Sequence, residues 1–250
     1  MGFLTGIEII DRYDGLKEGL VYILEEPGAG GSEFAYNILV KNRKTRKRVI
    51  AFTKNQSEVF REIKNTFPAE EDVSENTGIK VDSLEKFYFW DSIVPRRWIG
   101  EDDFTIFDLK REGEVIQEFM KLFDRIEENS IVVIDSITDL YRASLLETEK
   151  NEFIHLLIGI RKLSFRKNLL TLGILTKDVL DRDVENQILS NSDGVILFQW
   201  ENQRMWAGRW MHFMKLAGLM PFLEREKISR LQIRIDPGSG FTITQYERVV

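Results

Sequence analysis

An apolar run that leads into a glycine-rich loop constrains the fold of this chain more than any other feature. Residues 20–24 are all apolar, and Gly28, Gly30 and Gly31 follow shortly after them. A continuous apolar run is typical of a strand in a parallel sheet whose two faces are both covered. Glycines allow the tight turn that a strand needs before a helix. We therefore expect a strand at 20–24 and a helix at about 33–43.

The same alternation of strands and helices continues along the chain. We predict further strands at 48–53, 87–90, 131–135 and 169–175, another that begins at Asp193, and helices at 57–67, 112–128 and 151–166. From 210 to 250 we expect strands, with turns at 217–218 and 236–238. This order predicts an α/β fold with a mostly parallel central sheet flanked by helices and with antiparallel C-terminal strands. The length of 250 residues predicts a single domain over 1–250.

Composition excludes several kinds of site. The chain has no cysteine, which rules out disulfides and thiol chemistry, and His155 and His212 are too few for a histidine-rich metal site. Neither a membrane-length apolar run nor a secretory signal is visible, so we expect a soluble cytoplasmic protein with no membrane partner. Few prolines and abundant Lys and Glu are compatible with a thermophilic source.

The glycine loop follows the phosphate-binding pattern G-x-x-x-x-G-K-[ST] only in part. Gly30 and Ser32 match it, but Glu25 replaces the first glycine and Gly31 replaces the lysine. Loss of the lysine forfeits a charge-assisted contact worth about 1.5–3 kcal/mol. We expect the carboxylate of Glu33, in the first helical turn, to take the place of a phosphate at the helix dipole. The alternatives are an ordinary strand-to-helix turn or a substitute ammonium, which Lys54 or Lys215 would supply.

Several segments, in this order, resemble the KaiC/RecA-like ATPases, especially the single-domain archaeal type. They are residues 5–7, the glycine loop, and residues 131–140, 192–196, 215–218 and 241–243. The resemblance implies a RecA-like P-loop fold over nearly the whole chain. It also implies a nucleotide site at Gly28, Gly30, Gly31 and Ser32, in which Asp135 would orient Mg²⁺ through water and Ser32 would bind the ion directly.

Three departures from that family indicate that ATP hydrolysis is not retained. The phosphate lysine is Gly31, and Thr53 and Lys54 follow the second strand where the family has the glutamates that activate water. The family's closing-strand Lys-x-Arg reads Lys215-Leu216-Ala217, without the arginine. We therefore assign no catalytic residue and expect no cofactor, with weak binding of ATP and Mg²⁺ as the alternative. Without an ion, Asp135 would cap the following turn or need a hydrogen-bond partner, for which Ser32 and Ser136 are the candidates.

Two segments are candidates for partner binding. The stretch 200–222 is rich in the residue types found at interface centres, and the predicted partner surface comprises Trp200, Trp206, Trp210, Met211, Phe213 and Met214. It would bind a protein or peptide, or a second copy of the chain; the alternative is a hairpin packed on the core. The mostly basic stretch 41–48 suggests nucleic acid or an acidic partner, or simply cations at a helix C-terminus.

These patterns favour a non-catalytic relative of the KaiC/RecA-like ATPases, a pseudo-ATPase that acts as an interaction or regulatory module. One alternative is an unorthodox ATP-binding protein or slow ATPase with a substitute lysine. The other is a recombinase-like DNA-binding accessory protein that uses residues 41–48.

Overall fold

A single mixed sheet of nine strands organises the described part of the chain. The computed structural model describes residues 2–68, 78–89, 94, 114–145, 147–203, 206–236 and 240–248, with the backbone alone at 202–203, 206–207 and 248. The strands are β1 Gly19–Glu25, β2 Arg46–Ala51, β3 Ile79–Ser83, β4 Ser130–Asp135, β5 Leu170–Thr176, β6 Gly194–Gln203, β7 Trp206–Leu216, β8 Ile228–Asp236 and β9 Gly240–Arg248. The helices are α1 Glu8–Asp11, α2 Gly31–Lys41, α3 Gln56–Thr66, α4 Glu85–Tyr88, α5 Val115–Asp124, α6 Ile137–Ser144, α7 Lys150–Arg166, α8 Arg182–Ser190 and α9 Met220–Arg225.

The strand order is β3-β2-β4-β5-β1-β6-β7-β8-β9. Strands β1 to β6 pair in parallel, whereas β7, β8 and β9 are added antiparallel to one edge. The mostly parallel sheet and its antiparallel C-terminal strands confirm the predicted fold class. The carboxyl ends of β1, β2 and β4 lie at the same end of the sheet, because parallel strands run in the same direction.

Hydrophobic side chains fill both faces of the parallel sheet. Along β1, Val21 and Ile23 point into one buried cluster, whereas Leu20, Tyr22 and Leu24 point into the other. This burial on both faces explains why β1 and β4 are continuous apolar runs in the sequence. No helix among the described residues combines the length and the apolar character that crossing a membrane would need.

The predicted strand at 87–90 is wrong. Residues Glu85–Tyr88 form the short helix α4, and Trp90 lies outside the described residues. Phe87 and Tyr88 pack on one of the two cores, so their apolar character reflects burial rather than a place in the sheet. Among the described residues, the strand in this region is β3, which pairs with β2 at the edge of the sheet. The sequence pattern did not reveal it, because an edge strand tolerates polar residues such as Lys80 and Asp82.

The C-terminal region contains a helix that the sequence did not predict. We expected only strands and turns between 210 and 250, but α9 connects β7 to β8. Pro221 lies in its first turn, where the fixed φ of proline suits a helix start. Leu219 and Leu223 anchor this helix in the core beside α2, which explains why the segment is apolar without being a strand.

Candidate functional site

The glycine loop connects the last residue of β1 to the first residue of α2. β1 ends at Glu25 and α2 begins at Gly31, as the strand-turn-helix prediction required. Gly28 and Gly30 have φ angles of 74° and 105°, which residues other than glycine rarely adopt. The loop therefore turns sharply at two glycines, and it places the N-terminus of α2 near the carboxyl end of β1.

The side chain of Glu25 bonds to the N-terminus of α2. Its Oε2 accepts a hydrogen bond from the backbone N–H of Ser32 at 3.0 Å, and its Oε1 accepts one from the Ser32 hydroxyl at 2.7 Å. These are donors of the kind that bind a phosphate at a helix N-terminus. We expected Glu33 to take this role; it lies in the first turn of α2, but the carboxylate that contacts the helix end is that of Glu25.

Burial raises the pKa of Glu25 above the ordinary glutamate value. The two hydrogen bonds from Ser32 act in the opposite direction, while the negative charges of Glu33 and Asp135 raise the pKa further. The carboxyl group is therefore held in place against an electrostatic cost, which its bonds to Ser32 only partly offset.

The position of the missing lysine is crowded by the chain itself. A Cβ atom added to Gly31 would lie 2.6 Å from Cγ2 of Ile23 and 2.7 Å from Oε2 of Glu25. Both distances are far below a van der Waals contact. A side chain at position 31 therefore requires Glu25 and Ile23 to move.

Asp135 at the end of β4 forms an ion pair with Lys54. The Nζ atom of Lys54 lies 2.9 Å from Oδ2 of Asp135 and 2.8 Å from Oε2 of Glu62, which is on α3. The hydroxyl of Tyr36 on α2 lies 3.1 Å from Oε2 of Glu62 and 3.3 Å from Oδ2 of Asp135, so its one proton is shared between the two carboxylates. Desolvation lowers the pKa of Lys54, but attraction to Asp135 and bonds to both carboxylates outweigh it, so the net pKa is raised. This lysine remains an ammonium at neutral pH.

The predicted hydrogen-bond partners of Asp135 are wrong. Ser32 bonds to Glu25, and the Ser136 hydroxyl donates to Asp139 at 2.7 Å while capping α6. Asp135 bonds instead to Lys54 and Tyr36, because β2 and α2 bring these two side chains to the end of β4. The sequence pattern identified Asp135 as special without revealing that a lysine of this chain would neutralise it.

An open cleft of about 370 Å³ lies between the glycine loop and α3. It is lined by Glu25, Gly28, Ser32, Glu33, Tyr36, Lys54, Glu62, Asn65 and Thr66. The structure thus brings Gly28, Ser32 and Lys54 together, as the sequence suggested. Carboxylates dominate the charged groups of this cleft, and among the described residues no cluster of three or more acids and histidines is arranged to hold a metal ion.

Lys215 does not reach the glycine loop. On β7 it lies beside Val195, near the start of β6, whereas the loop follows Glu25, which lies beside Phe198 further along β6. Its Nζ donates to the carbonyl oxygens of Ser190 and Ser192 at the end of α8. The suggestion that Lys215 supplies a substitute ammonium is therefore wrong. Because β7 is antiparallel to β6, Lys215 lies near the amino-terminal ends of the parallel strands, whereas the glycine loop lies at their carboxyl ends.

Three of the six residues of the predicted partner surface are interior. Trp210, Met211 and Phe213 are 3%, 0% and 8% exposed, so the structure contradicts their place on an exposed surface. Met211 and Phe213 pack in the core shared with α2, and the guanidinium of Arg230 covers the ring of Trp210 at 4.2 Å. Only Met214 and Trp200 are exposed, and the side chain of Trp206 lies outside the described part of the chain.

Trp200 and Arg209 hold the glycine loop from the β6–β7 hairpin. Nε1 of Trp200 donates to the carbonyl oxygen of Pro27 at 3.1 Å, and Nε of Arg209 donates to that of Gly28 at 3.0 Å. The Arg209 guanidinium also lies 4.7 Å from the centre of the Trp200 ring. Sequence reasoning placed Trp200 and Arg209 in a stretch suited to a partner interface, because only the register of β6 and β7 shows that both face the loop.

Two of the six basic residues in the stretch 41–48 form ion pairs within the chain. Arg48 forms an ion pair with Asp82 at 3.1 Å, and Arg46 forms one with Glu127. Lys47 is buried, and Lys41 lies in the last turn of α2, where a cation complements the helix dipole. These contacts favour a structural role for the stretch, at the C-terminus of α2 and in the sheet, over a surface that binds nucleic acid.

Comparisons with known proteins connect this chain to others through its fold. No protein-family model matches it, and no curated protein matches its sequence. A KaiC-like protein from the hyperthermophilic archaeon Pyrococcus horikoshii OT3 is similar in structure, with a TM-score of 0.60, 16% identity, and coverage of 98% of this chain and 99% of that one. The flagellar accessory protein FlaH from Methanocaldococcus jannaschii is also similar, with a TM-score of 0.66, 12% identity and coverage of 97% of both chains. At identities this low the similarity concerns the fold alone, and it shows that the chain shares the α/β fold of these two proteins.

Proposed function

We propose that this chain is a pseudo-ATPase: a non-catalytic protein of KaiC/RecA-like fold that acts as an interaction or regulatory module. The observation that carries the proposal is the filling of the glycine-loop site by side chains of the chain itself. Glu25 bonds to the donors that a phosphate would need, and Lys54 bonds to the aspartate that a magnesium ion would need.

The anion side of the site does not fit a triphosphate. A phosphate approaching Ser32 would have to displace Glu25, whose carboxylate has the same sign of charge and already bonds to that residue. Glu33 and Glu62 line the same cleft and add repulsion. With no lysine at Gly31 to balance these charges, the site disfavours the ligand that the loop pattern would otherwise suggest.

The cation side does not fit Mg²⁺ either. The ammonium of Lys54 lies against Asp135 and Glu62, so a divalent ion there would meet a positive charge. These same bonds argue against Lys54 as a substitute for the phosphate lysine. Its ammonium would have to leave two carboxylates in order to reach a nucleotide, and one of them, Asp135, is buried.

Calorimetric titration of ATP with Mg²⁺ tests the proposal. We expect the wild-type protein to give no saturable heat at micromolar ATP. Saturable micromolar binding would contradict the proposal and favour the alternative of an unorthodox ATP-binding protein. Salt-dependent retention on single-stranded DNA would instead favour the DNA-binding alternative.

A paired substitution shows whether the self-filled site is the cause. Glu25→Gly with Gly31→Lys restores the complete phosphate-binding pattern and removes the carboxylate that crowds position 31. We expect this double variant to gain ATP binding while Gly31→Lys alone does not, because Glu25 then remains in the way. Circular dichroism confirms folding in each case, and Glu25→Gln is the matched control, since it removes the charge but leaves the site filled.

A further inference from the structure

A cluster of charged side chains lies on the face of the antiparallel strands that points away from α2. Met211 of β7 packs in the core shared with α2, so its neighbours in the strand, Trp210 and His212, face the other side. Arg230 of β8 lies beside His212 in the ladder between the two strands. The side chain of Arg230 reaches Glu201 of β6 on this same face.

Arg230 connects the members of this cluster. Its Nη1 bonds to Glu201, and its Nε bonds to Glu247 of β9. Its guanidinium lies 4.2 Å from the centre of the Trp210 ring. The two ion pairs therefore hold Arg230 in the position in which it covers Trp210.

His212 lies beside these ion pairs without a hydrogen bond at Nε2. This atom is buried and has no hydrogen-bond partner among the described residues, and Oε1 of Glu201 lies 3.9 Å away. The same oxygen of Glu201 already bonds to Arg230. A neutral imidazole can carry its one proton on the other nitrogen, whereas an imidazolium has a donor at Nε2 that needs an acceptor.

The surroundings of His212 oppose its protonation. Desolvation lowers the pKa of His212 below the ordinary histidine value, and the positive charge of Arg230 lowers it further, while the negative charges of Glu201 and Glu247 raise it. The helix α9, which also contacts β7, contributes apolar side chains such as Leu223 to the core on the opposite face. His212 is therefore neutral at pH 7 and gains a proton only in more acidic solution.

We propose that this cluster is a pH-sensitive switch, in which protonation of His212 displaces Arg230 from Glu201 and uncovers Trp210. The imidazolium and the guanidinium would compete for one carboxylate oxygen and would repel each other. Arg230 would keep its bond to Glu247, which is 48% exposed at its side chain, and would move towards β9. The switch goes beyond the interaction role proposed above, because it concerns how the antiparallel strands respond to pH.

The switch would act on the glycine loop through β7. Arg209, which bonds to the carbonyl oxygen of Gly28, pairs with Ile233 in the same ladder that pairs His212 with Arg230. Loss of the contacts around His212 would therefore weaken the strand pairing that positions Arg209.

A proton NMR titration of the full chain tests the first step. The chain has only two histidines, so His155→Gln assigns both imidazole signals. We expect His212 to titrate below the ordinary histidine pKa of about 6.5. The indole N–H signal of Trp210, assigned with Trp210→Phe, should move with the same midpoint. An indole signal that stays fixed while His212 titrates would overturn the proposal, as would a His212 pKa at or above the ordinary value.

Hydrogen exchange tests the effect on the strands. After correction for intrinsic rates, we expect residues 209–212 of the wild type to exchange about tenfold faster at pH 5 than at pH 7.5, as for the loss of one hydrogen bond between charged groups. His212→Gln cannot be protonated and should abolish this difference, whereas His155→Gln on the exposed face of α7 should retain it.

A second variant keeps the test independent of how His212→Gln folds. Glu201→Gln removes the charge that His212 and Arg230 share, so the pH difference should shrink there as well. The full difference in either variant would overturn the proposal and would assign the response to another titrating group. None of these results depends on ATP, so the proposal that the chain is a pseudo-ATPase would stand or fall separately.

Discussion

At the scale of single residues, Glu25 and Lys54 dominate the electrostatics of the glycine-loop site. Each is a charged side chain held by partners of its own chain: Glu25 by Ser32, and Lys54 by Asp135 and Glu62. Glu25 also lies where the phosphate-binding pattern has a glycine, and Lys54 lies after the second strand, where the family that the sequence resembles has glutamates. Substitutions that change one charge at a time therefore show what each contributes to stability.

We predict that Glu25 makes the stability of the protein fall with rising pH. Burial raises its pKa, so the folded chain binds this proton more tightly than the unfolded chain does. The free energy of unfolding should thus decrease as the pH rises from the ordinary glutamate pKa through the raised one. Glu25→Gln removes this titration but retains an oxygen to accept from Ser32, so its pH dependence should be flatter. Urea denaturation between about pH 4 and pH 8 measures this, with Glu152→Gln at an exposed position of α7 as the control; identical slopes for wild type and Glu25→Gln would refute it.

We predict that Lys54→Met destabilises the fold by about 2–3 kcal/mol, since it leaves Asp135 as a mostly buried charge without a cation. The value is below that for a fully buried pair because Lys54 and Glu62 are partly exposed. Adding Asp135→Asn should restore part of the loss, so that the double variant is less destabilised than the sum of the single ones. Chemical denaturation provides the measurement, and the exposed Lys64→Met on α3 should change stability little. Additive effects of the two substitutions would show that the ion pair contributes nothing.

At the scale of elements, the close approach of β1 and α2 determines what position 31 can hold. Gly31 is the first residue of α2 and lies against Ile23 and Glu25 of β1. The strand and the helix are therefore packed at a distance that only glycine allows there. The same contact explains why the lysine of the phosphate-binding pattern could not return without a second change.

We predict that Gly31→Ala destabilises the protein by about 1–3 kcal/mol through this crowding. Gly159 in the middle of α7 is the matched control, because an added Cβ there meets nothing within 4 Å. Gly159→Ala should stabilise the protein by about 0.5–1 kcal/mol, as expected for alanine in a helix. Thermal or urea denaturation of both variants gives the comparison. Stabilisation by both substitutions would show that β1 and α2 separate easily at this point.

At the scale of the whole molecule, the glycine loop links the parallel and antiparallel parts of the sheet. The loop connects β1 to α2 in the sequence, but Trp200 and Arg209 of the β6–β7 hairpin donate hydrogen bonds to its carbonyl oxygens. A further contact joins the backbone N–H of Trp200 to Glu26 at 2.9 Å. The order of the loop thus depends on strands that are distant in sequence.

We predict that Arg209→Ala speeds hydrogen exchange of the loop, residues 26–30, by about fivefold, the effect of losing one hydrogen bond of about 1 kcal/mol. The strands β1 and β4 should keep their protection, because their ladders are unchanged. Arg225→Ala on α9, which contacts Tyr13 and Phe222 instead, is the control and should leave the loop unaffected. Unchanged loop exchange in Arg209→Ala would mean that Trp200 alone is sufficient to hold it.

The sequence predicted the elements whose burial leaves a periodic trace. The strands β1, β4 and β5 and the helices α2, α3 and α7 are confirmed, because a buried strand or an amphipathic helix repeats its apolar residues at a fixed spacing. It did not predict β3 or the helices α1, α4, α6, α8 and α9. An edge strand tolerates polar residues, and a short helix has too few residues to show a periodic apolar pattern. Neither kind of element could therefore be recognised from the spacing of its apolar residues.

By itself, the sequence determined the alternation of the main strands and helices, the place of the glycine loop and the loss of the lysine at Gly31. Only the tertiary structure decided that Glu25 takes the donors of Ser32, that Lys54 neutralises Asp135 and that Trp210, Met211 and Phe213 are interior. The reason is physical: periodicity and glycine content act between neighbours in the chain and can be read there. Ion pairs and burial instead depend on which strands lie side by side, as β2 and β4 do in bringing Lys54 to Asp135.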